Sequence, residues 1–275
     1  MNEVMALDRA ESGLRELGLV RMADLLPSHA EEAARESLTY TQFMARLVDA
    51  EVEYRYQKSI VLLTKRARFP YRRTLAEFDF SFQPSIDERQ VRELATLGFV
   101  ETATNVLLLG PPGVGKTHLA VALGMEAIKR QISTYFVTAQ ELVSDLRRAY
   151  LQNGLEKRLK LYTRPKLLIL DEMTYLPIEP ADAAHIFRVV TERYEKGSIV
   201  LTSNVSFGNW GQLLGDPILA GAMLDRLLHH SVTINIRGQS YRLKDKLRAG
   251  TPLPSQMLTK GGDQDQQYRR EGGEF

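Results

Sequence analysis

The sequence predicts an α/β fold in which a five-stranded parallel sheet is flanked by helices and preceded by a small all-α domain. Three observations support this prediction. Short apolar runs suited to buried strands alternate with helical patterns from residue 85 onward. A glycine-rich segment follows the first of these runs, and acidic residues follow the third. Residues 1–70 instead show helical periodicity throughout.

Five strands are expected, and helical crossovers between them make their sheet parallel and doubly wound. In such sheets, ligands bind at the carboxyl ends of the strands. The expected strands lie near residues 104–109, 133–137, 166–170, 198–203 and 232–236.

The first 70 residues are predicted to form helices with apolar faces. Leu7, Leu14 and Leu17 share one face of a first helix. On a later helix, four residues follow one another at helical spacing, and Thr39 with Gln42 forms a capping box at its start. The four residues are Phe43, Leu47, Ala50 and Tyr54.

The sequence predicts four segments. Residues 1–70 are expected to be a helical domain, and residues 71–84 a linker. Residues 85–248 form the sheet-containing domain, and the polar residues 249–275 a disordered tail. Within the linker, residues 78–84 are expected to be extended, with phenylalanines that either pack between domains or stack on a base.

Residues 110–117 read Gly-Pro-Pro-Gly-Val-Gly-Lys-Thr, which is a complete phosphate-binding loop between a strand and a helix. Amides at the start of that helix point toward phosphates. Lys116 is expected to reach the β- and γ-phosphates, and the Thr117 hydroxyl to ligate Mg²⁺. The expected nucleotide-binding residues are Gly110, Pro111, Pro112, Gly113, Val114, Gly115, Lys116, Thr117 and His118.

Two later strands are expected to complete an ATP hydrolysis site with Mg²⁺ as its metal. The run 166–170 is followed by Asp171 and Glu172. Asp171 is a candidate Mg²⁺ ligand together with Thr117, and Glu172 is a candidate general base. The run 198–203 precedes Asn204, which could hydrogen-bond the γ-phosphate or the attacking water.

Further motifs narrow the class of ATPase. Asp225-Arg226-Leu227 precedes the last strand, and Ser240-Tyr241-Arg242 follows it. Upstream lie Arg68-Phe69-Pro70-Tyr71 and Phe78-Asp79-Phe80. Together with the three strand-end motifs, they resemble the AAA+ superfamily and, over about residues 10 to 248, the IstB-type ATPases encoded beside insertion-sequence transposases.

The resemblance implies roles for two arginines. Arg226 matches an arginine finger, which contacts the nucleotide of a neighbouring subunit, and Arg242 matches a sensor-2 arginine acting within its own subunit. The resemblance therefore implies a homo-oligomer with nucleotide at its subunit interfaces. The residues alone leave an alternative role open for each arginine. Arg226 could pair with Asp225 on a helix surface, and Arg242 could be a solvated residue of a C-terminal helix. Too few residues follow Arg226 for a separate lid domain.

Residues 54–73 contain seven basic residues, no acidic residue and interleaved aromatic residues. Such a segment is typical of a surface that binds a phosphate backbone. A solvated helix face, or pairing with the acidic region 30–36, is the alternative. The candidate DNA-binding residues are Arg55, Lys58, Lys65, Arg66, Arg68, Arg72 and Arg73.

Composition excludes several classes of protein. The chain of 275 residues has no cysteine, so disulfides and cysteine metal sites are excluded. Its five histidines show no ligand spacing with acidic residues, so no structural metal is expected. No signal pattern or long apolar run is present, which predicts a cytoplasmic protein without membrane contact.

The resulting hypothesis is an ATP-dependent regulator of insertion-sequence transposition. It binds duplex DNA without sequence specificity, oligomerises in the ATP state, recruits and stimulates the transposase of its element, and disassembles on hydrolysis. The helical domain 1–70 is expected to serve DNA binding and assembly. Two alternatives stay open, namely a replicative helicase loader and a nucleotide-sensing scaffold that does not hydrolyse ATP.

Overall fold

The computed structural model describes residues 3–173 and 179–244. The predicted tail at 249–275, and residues 245–248 of the predicted sheet-containing domain, lie outside the described residues. The chain divides into two compact units, Met1–Leu63 and Thr64–Phe275. No helix within the described ranges is both long and apolar enough to cross a membrane.

The first unit is helical, as predicted. It contains α1 (Glu3–Glu16), α2 (Val20–Glu36) and most of α3 (Tyr40–Ala67). Met22, Leu26 and Leu47 are buried together. The predicted capping box is confirmed, because the Gln42 amide donates to Thr39 Oγ1 over 3.2 Å and the Thr39 amide donates to Gln42 Oε1 over 2.9 Å. Leu17 was expected on the apolar face, but it follows the end of α1 and is 74% exposed.

The second unit contains the predicted five-stranded parallel sheet, in the order β2-β3-β4-β1-β5. Each strand begins within a residue of its predicted position. β3 continues three residues further than expected and includes Asp171 and Glu172. The strands are β1 (Asn105–Leu109), β2 (Thr134–Thr138), β3 (Leu167–Met173), β4 (Ser198–Ser203) and β5 (Ser231–Asn235).

Helices cover both faces of this sheet. Successive strand residues point to opposite faces, so Leu107 joins one core cluster while Val106 and Leu108 join the other. The helices of the second unit are α4 (Glu88–Leu94), α5 (Gly98–Glu101), α6 (Lys116–Lys129), α7 (Ala139–Leu151), α8 (Leu155–Thr163), α9 (Pro180–Arg193), α10 (Trp210–Leu213) and α11 (Pro217–His229).

The linker segment 71–84 is folded, and its residues 78–84 differ from the extended connector predicted for them. It contains two 3₁₀ turns, Leu75–Glu77 and Phe80–Phe82, and Thr74 and Glu77 cap the first of them. Phe78 and Phe80 pack against the α6 side of the core within the second unit. Burial of aromatic surface therefore folds this segment onto the unit instead of leaving it extended.

A buried arginine joins β3 and β4 at their amino ends. Arg193, at the end of α9, is 1% exposed and has no carboxylate partner within the described ranges. Because it is buried, its pKa is lowered to about 10. Its guanidinium instead donates to the carbonyl oxygens of Tyr162, Pro165, Lys166 and Ser198 at 2.8–3.0 Å.

The substitution Arg193→Met is expected to reduce the free energy of unfolding by about 3 kcal/mol, because it leaves several buried carbonyl groups without donors. Urea denaturation of the full chain measures the change. Arg89→Met is the matched control, since the Arg89 side chain is exposed and has no hydrogen-bond partner among the described residues; it should change stability by less than about 0.5 kcal/mol. Equal stabilities for the two variants would contradict this prediction.

Candidate nucleotide-binding site

The glycine-rich loop joins the end of β1 at Leu109 to the start of α6 at Lys116. Gly113 and Gly115 have φ angles of +83° and +99°, which side-chain-bearing residues rarely adopt. A Cβ atom on Gly113 would collide with Ser240 Oγ, and one on Gly115 would lie 2.6 Å from the Phe78 ring. Both glycines are therefore required by the backbone conformation and by protein packed against the loop.

A cavity of about 480 Å³ lies along this loop at the carboxyl ends of the strands. It brings together residues that the sequence placed far apart. From the loop and α6 come residues 112–118, and from later elements come Glu172, Thr202, Asn204, Tyr241 and Arg242. From the segment 71–84 come Tyr71, Arg73, Glu77, Phe78 and Asp79. Gly110 and Pro111 do not line it and instead present carbonyl oxygens to Lys116.

Lys116 is a half-buried cation at the wall of the cavity. Its Nζ donates to the carbonyl oxygens of Gly110 and Pro111 over 2.6 and 2.8 Å. Burial lowers the pKa of Lys116 to about 8, the charge of Arg242 acts in the same direction, and Asp171 and Glu172 oppose them. A bound polyphosphate would compete for this ammonium group and would favour its charged form.

Asp171 is buried behind the cavity wall, where two hydroxyl groups donate to it. Thr117 Oγ1 lies 3.0 Å from Asp171 Oδ1, and Thr202 Oγ1 lies 2.5 Å from the same oxygen. Burial raises the pKa of Asp171, against the opposing effect of these hydrogen bonds. A carboxylate beside a hydroxyl supplies hard oxygen ligands, so Asp171 and Thr117 fit Mg²⁺ carried in with a nucleotide.

Glu172 reaches the cavity because the end of β3 is irregular. The pairing of β3 with β4 shifts register between Leu170 and Met173, and Glu172 has a φ angle of +59°. In a regular strand, the side chains of Asp171 and Glu172 would point to opposite faces of the sheet. The irregular strand end instead lets Glu172 line the cavity. The Glu172 amide donates to Thr202 Oγ1 over 3.0 Å, so Thr202 contacts both acidic residues.

Asn204 follows β4 and lines the same cavity. Its Oδ1 atom is buried and accepts no hydrogen bond from the described residues. An amide oxygen without a donor is costly to bury, and a water or a ligand hydroxyl in the cavity would satisfy it. The contact of Asn204 with the γ-phosphate or the attacking water stays a prediction.

The two arginines singled out by the sequence lie in different places. Arg242, on the 3₁₀ turn Tyr241–Leu243, lines the cavity, and the Tyr241 amide donates to the Gly113 carbonyl over 2.9 Å. Arg226 does not line it. Its guanidinium donates to the Ala222 carbonyl over 2.8 Å and lies 4.9 Å from the centre of the Phe187 ring.

Several lining residues were not predicted from the sequence. Tyr71, Asp79 and Thr202 line the cavity, and Arg73, expected to bind DNA, lines it as well. Phe78, for which packing between domains and stacking on a base were both left open, also lines it. His118, expected to bind nucleotide, has its Nε2 atom 2.9 Å from the Thr74 carbonyl oxygen. The aromatic and acidic residues at 78–80 were the feature of the sequence that could have indicated a contribution of segment 71–84 to the cavity. Whether they pack there depends on the fold.

The remaining candidate DNA-binding residues differ in their partners. In the first unit, Arg55 pairs with Glu51 over 2.7 Å, and Lys58 lies over the Tyr54 ring. In the second unit, Arg68 donates to the Tyr135 hydroxyl over 3.0 Å. Lys65, Arg66 and Arg72 are exposed and have no ion-pair partner within the described residues.

Comparison with known proteins identifies relatives over nearly the whole chain. The family described as IstB-like ATP binding protein matches residues 12–249. An insertion sequence IS5376 ATP-binding protein of Geobacillus stearothermophilus is 49% identical, with 87% of this chain and 95% of that protein aligned. The corresponding IS21 protein of Pseudomonas aeruginosa is 45% identical, with 90% and 96% aligned.

Solved structures share the fold at lower identity. The DnaI crystal structure is 20% identical with a TM-score of 0.52, and the comparison covers 63% of this chain and 94% of that one. DnaA from Aquifex aeolicus, bound to AMPPCP, is 20% identical with a TM-score of 0.50, covering 67% of this chain and 57% of that one. These similarities confirm the predicted AAA+ fold and carry no further conclusion.

Binding of a non-hydrolysable ATP analogue with Mg²⁺ is expected to take up protons near pH 8. Free Lys116 has a pKa of about 8, and polyphosphate raises it, so binding there should take up as much as about half a proton. Calorimetry in buffers with different ionisation enthalpies measures the uptake. In Lys116→Arg the cation does not titrate, so uptake should disappear; uptake that persists there would contradict the assignment to Lys116.

Proposed function

This chain belongs to the family of IstB-like ATP binding proteins, and from that premise we propose that it is an ATPase that regulates insertion-sequence transposition. In its ATP state it assembles on duplex DNA and recruits and stimulates the transposase of the same element. Hydrolysis of ATP then releases the assembly. The relatives named for insertion sequences IS5376 and IS21 support the link to transposition.

One observation carries the ATPase assignment: the phosphate-binding loop, Glu172, Asn204 and Arg242 line one cavity. The loop amides and Lys116 bind the β- and γ-phosphates of ATP. Thr117 and Asp171 hold Mg²⁺, which neutralises charge on the phosphate oxygens when it is bound. This set of groups contains a cation, a metal site and a general base, which are the parts that phosphoryl transfer to water requires.

Glu172 and Asn204 orient the attacking water. Glu172 accepts its proton as the water oxygen bonds to the γ-phosphorus, and the bond to the β,γ-bridging oxygen breaks to release ADP. Asn204 Oδ1, which has no donor among the described residues, accepts the second hydrogen of that water. Arg242 stabilises the charge that develops on the transferring phosphoryl group.

Arg226 is assigned to the neighbouring subunit's nucleotide. Within one chain it does not line the cavity, so in this proposal it reaches ATP only across a subunit interface. A head-to-tail contact of this kind repeats to form a ring or a helical array. The nucleotide then joins two protomers, which makes assembly depend on whether ATP or ADP is bound.

The DNA-binding surface is assigned to the basic segment 54–73. Lys65, Arg66 and Arg72 are its most available cations, because they are exposed and unpaired in the described part of the chain. Arg55, Lys58 and Arg68 can contribute after exchanging their present partners. Arg73 lies at the nucleotide cavity. Contacts to the phosphate backbone give affinity without sequence preference and weaken as salt is added.

ATP is expected to increase the affinity for duplex DNA, and ADP is not. Glu172→Gln should keep nucleotide binding, lower kcat by at least about 100-fold, and retain DNA after ATP addition for longer than the unsubstituted chain does. Fluorescence anisotropy on labelled DNA and phosphate release measure the two effects. DNA affinity that is the same with ATP, ADP and no nucleotide, and unchanged in Glu172→Gln, would remove the switch from the proposal.

A basic-segment variant separates DNA contact from the ATPase site in the same assay. The double substitution of Lys65 and Arg66 by Gln should reduce the salt slope of DNA binding by about 1.8, because two phosphate contacts are lost. Arg89→Gln removes an exposed cation elsewhere and should leave the slope unchanged. Equal slopes for both would place the DNA surface outside this segment.

Thr202→Val is expected to lower kcat for ATP by about tenfold or more, because a valine cannot hold Asp171 and the Glu172 amide in place. Nucleotide affinity should change less than kcat does. Thr202→Ser keeps the hydroxyl and should restore most of the rate. Steady-state phosphate release and nucleotide titration separate the two quantities. Valine and serine variants with the same kcat would show that the hydroxyl has no positioning role.

A further inference from the structure

Three side chains that can bind a metal ion converge outside the nucleotide cavity. Glu195 follows α9, His229 is the last residue of α11, and His230 caps that helix before β5. One ligand atom from each residue lies within 4.8 Å of the other two. All three side chains are exposed, and none of them lines the nucleotide cavity.

The histidines show no ligand spacing with acidic residues in the sequence, where Glu195 lies 34 residues before His229. The fold nevertheless brings Glu195 close to His229 and His230 in space. α9 and α11 pack on the same face of the sheet, so the turn after α9 meets the end of α11. Tertiary packing, and not local spacing, creates the cluster.

The local geometry favours a cation bound through nitrogen. Glu195 Oε1 lies 3.7 Å from His230 Nε2, and the two imidazole rings are 4.1 Å apart between centroids. The Tyr194 hydroxyl lies 2.8 Å from His229 Nδ1. A partner on one ring nitrogen commonly orients a histidine whose other nitrogen binds metal. The carboxyl end of α11 also presents carbonyl oxygens, which favour positive charge.

We propose that Glu195, His229 and His230 bind a divalent transition-metal ion of the Zn²⁺ class, with water completing a tetrahedral site. Bonds of about 2.0–2.1 Å from Zn²⁺ to nitrogen and oxygen require ligand atoms about 3.3 Å apart. The side chains are exposed, so small rotations about their side-chain bonds bring the ligand atoms to that separation. Two imidazoles select Zn²⁺, Co²⁺ or Ni²⁺ over Mg²⁺, which prefers oxygen ligands.

Neighbouring cations weaken the attraction of the cluster for a metal ion. Arg226 lines a small pocket together with Glu195 and His230, although its guanidinium donates to the Ala222 carbonyl and lies over the Phe187 ring. Lys196 adjoins Glu195 in the chain and reduces the attraction for a cation. The expected affinity is therefore below that of a fully enclosed structural site with four protein ligands.

Titration of the tag-free, nucleotide-free full chain with Co²⁺ tests the proposal, because tetrahedral Co²⁺ has an intense visible absorption. One Co²⁺ per chain is expected, displaced by Zn²⁺ and not by Mg²⁺. The single substitutions His229→Ala and His230→Ala should each weaken binding by at least about tenfold, and Tyr194→Phe by up to about tenfold. Glu195→Gln should weaken it as well.

Two control variants make the result decisive. His185→Ala removes a histidine outside the cluster and should leave Co²⁺ affinity unchanged. Asp171→Asn removes the carboxylate at the nucleotide site and should also leave it unchanged. Circular dichroism confirms that each variant is folded. Wild-type affinity in the double variant His229→Ala and His230→Ala, or loss of binding in Asp171→Asn, would overturn the proposal.

Discussion

The pairing of β3, β4 and β1 as neighbouring parallel strands is the constraint on which the nucleotide site depends. Because the strands are parallel, their carboxyl ends meet at one edge of the sheet. β4 lies between the strand that precedes the glycine-rich loop and the strand that carries Asp171. Thr202, on β4, can therefore contact both acidic residues of β3. A different strand order would separate these groups.

The last segment of the described chain and residues 71–84 both border the nucleotide cavity. Ser240 and Phe78 pack against loop glycines, and the Tyr241 amide bonds to the loop at Gly113. Lys244 forms an ion pair of 2.6 Å with Asp79, which joins these two segments beside the cavity. A change at the phosphates would therefore reach both segments through direct contacts.

Two groups of cations serve different purposes in the second unit. Arg193 is buried, lies at the amino ends of β3 and β4, and stabilises their connections through carbonyl groups. Lys116 and Arg242 lie at the opposite ends of the strands, where they face the cavity. Burial lowers the pKa of both Arg193 and Lys116, but only Lys116 faces the cavity, where a bound polyphosphate would raise its pKa again. The sheet therefore separates structural from ligand-binding positive charge.

The sequence by itself determined the strands, the glycine-rich loop and the acidic strand end. These features depend on the periodicity of apolar residues, on apolar runs and on a contiguous motif, all of which are local properties of the chain. It also identified the family. Only the tertiary structure decided that Arg73 and Phe78 line the nucleotide cavity, that Thr202 contacts both Asp171 and Glu172, and that Glu195 meets two histidines. These contacts depend on how distant elements pack and on an irregular strand end, and neither leaves a periodic signal in the chain.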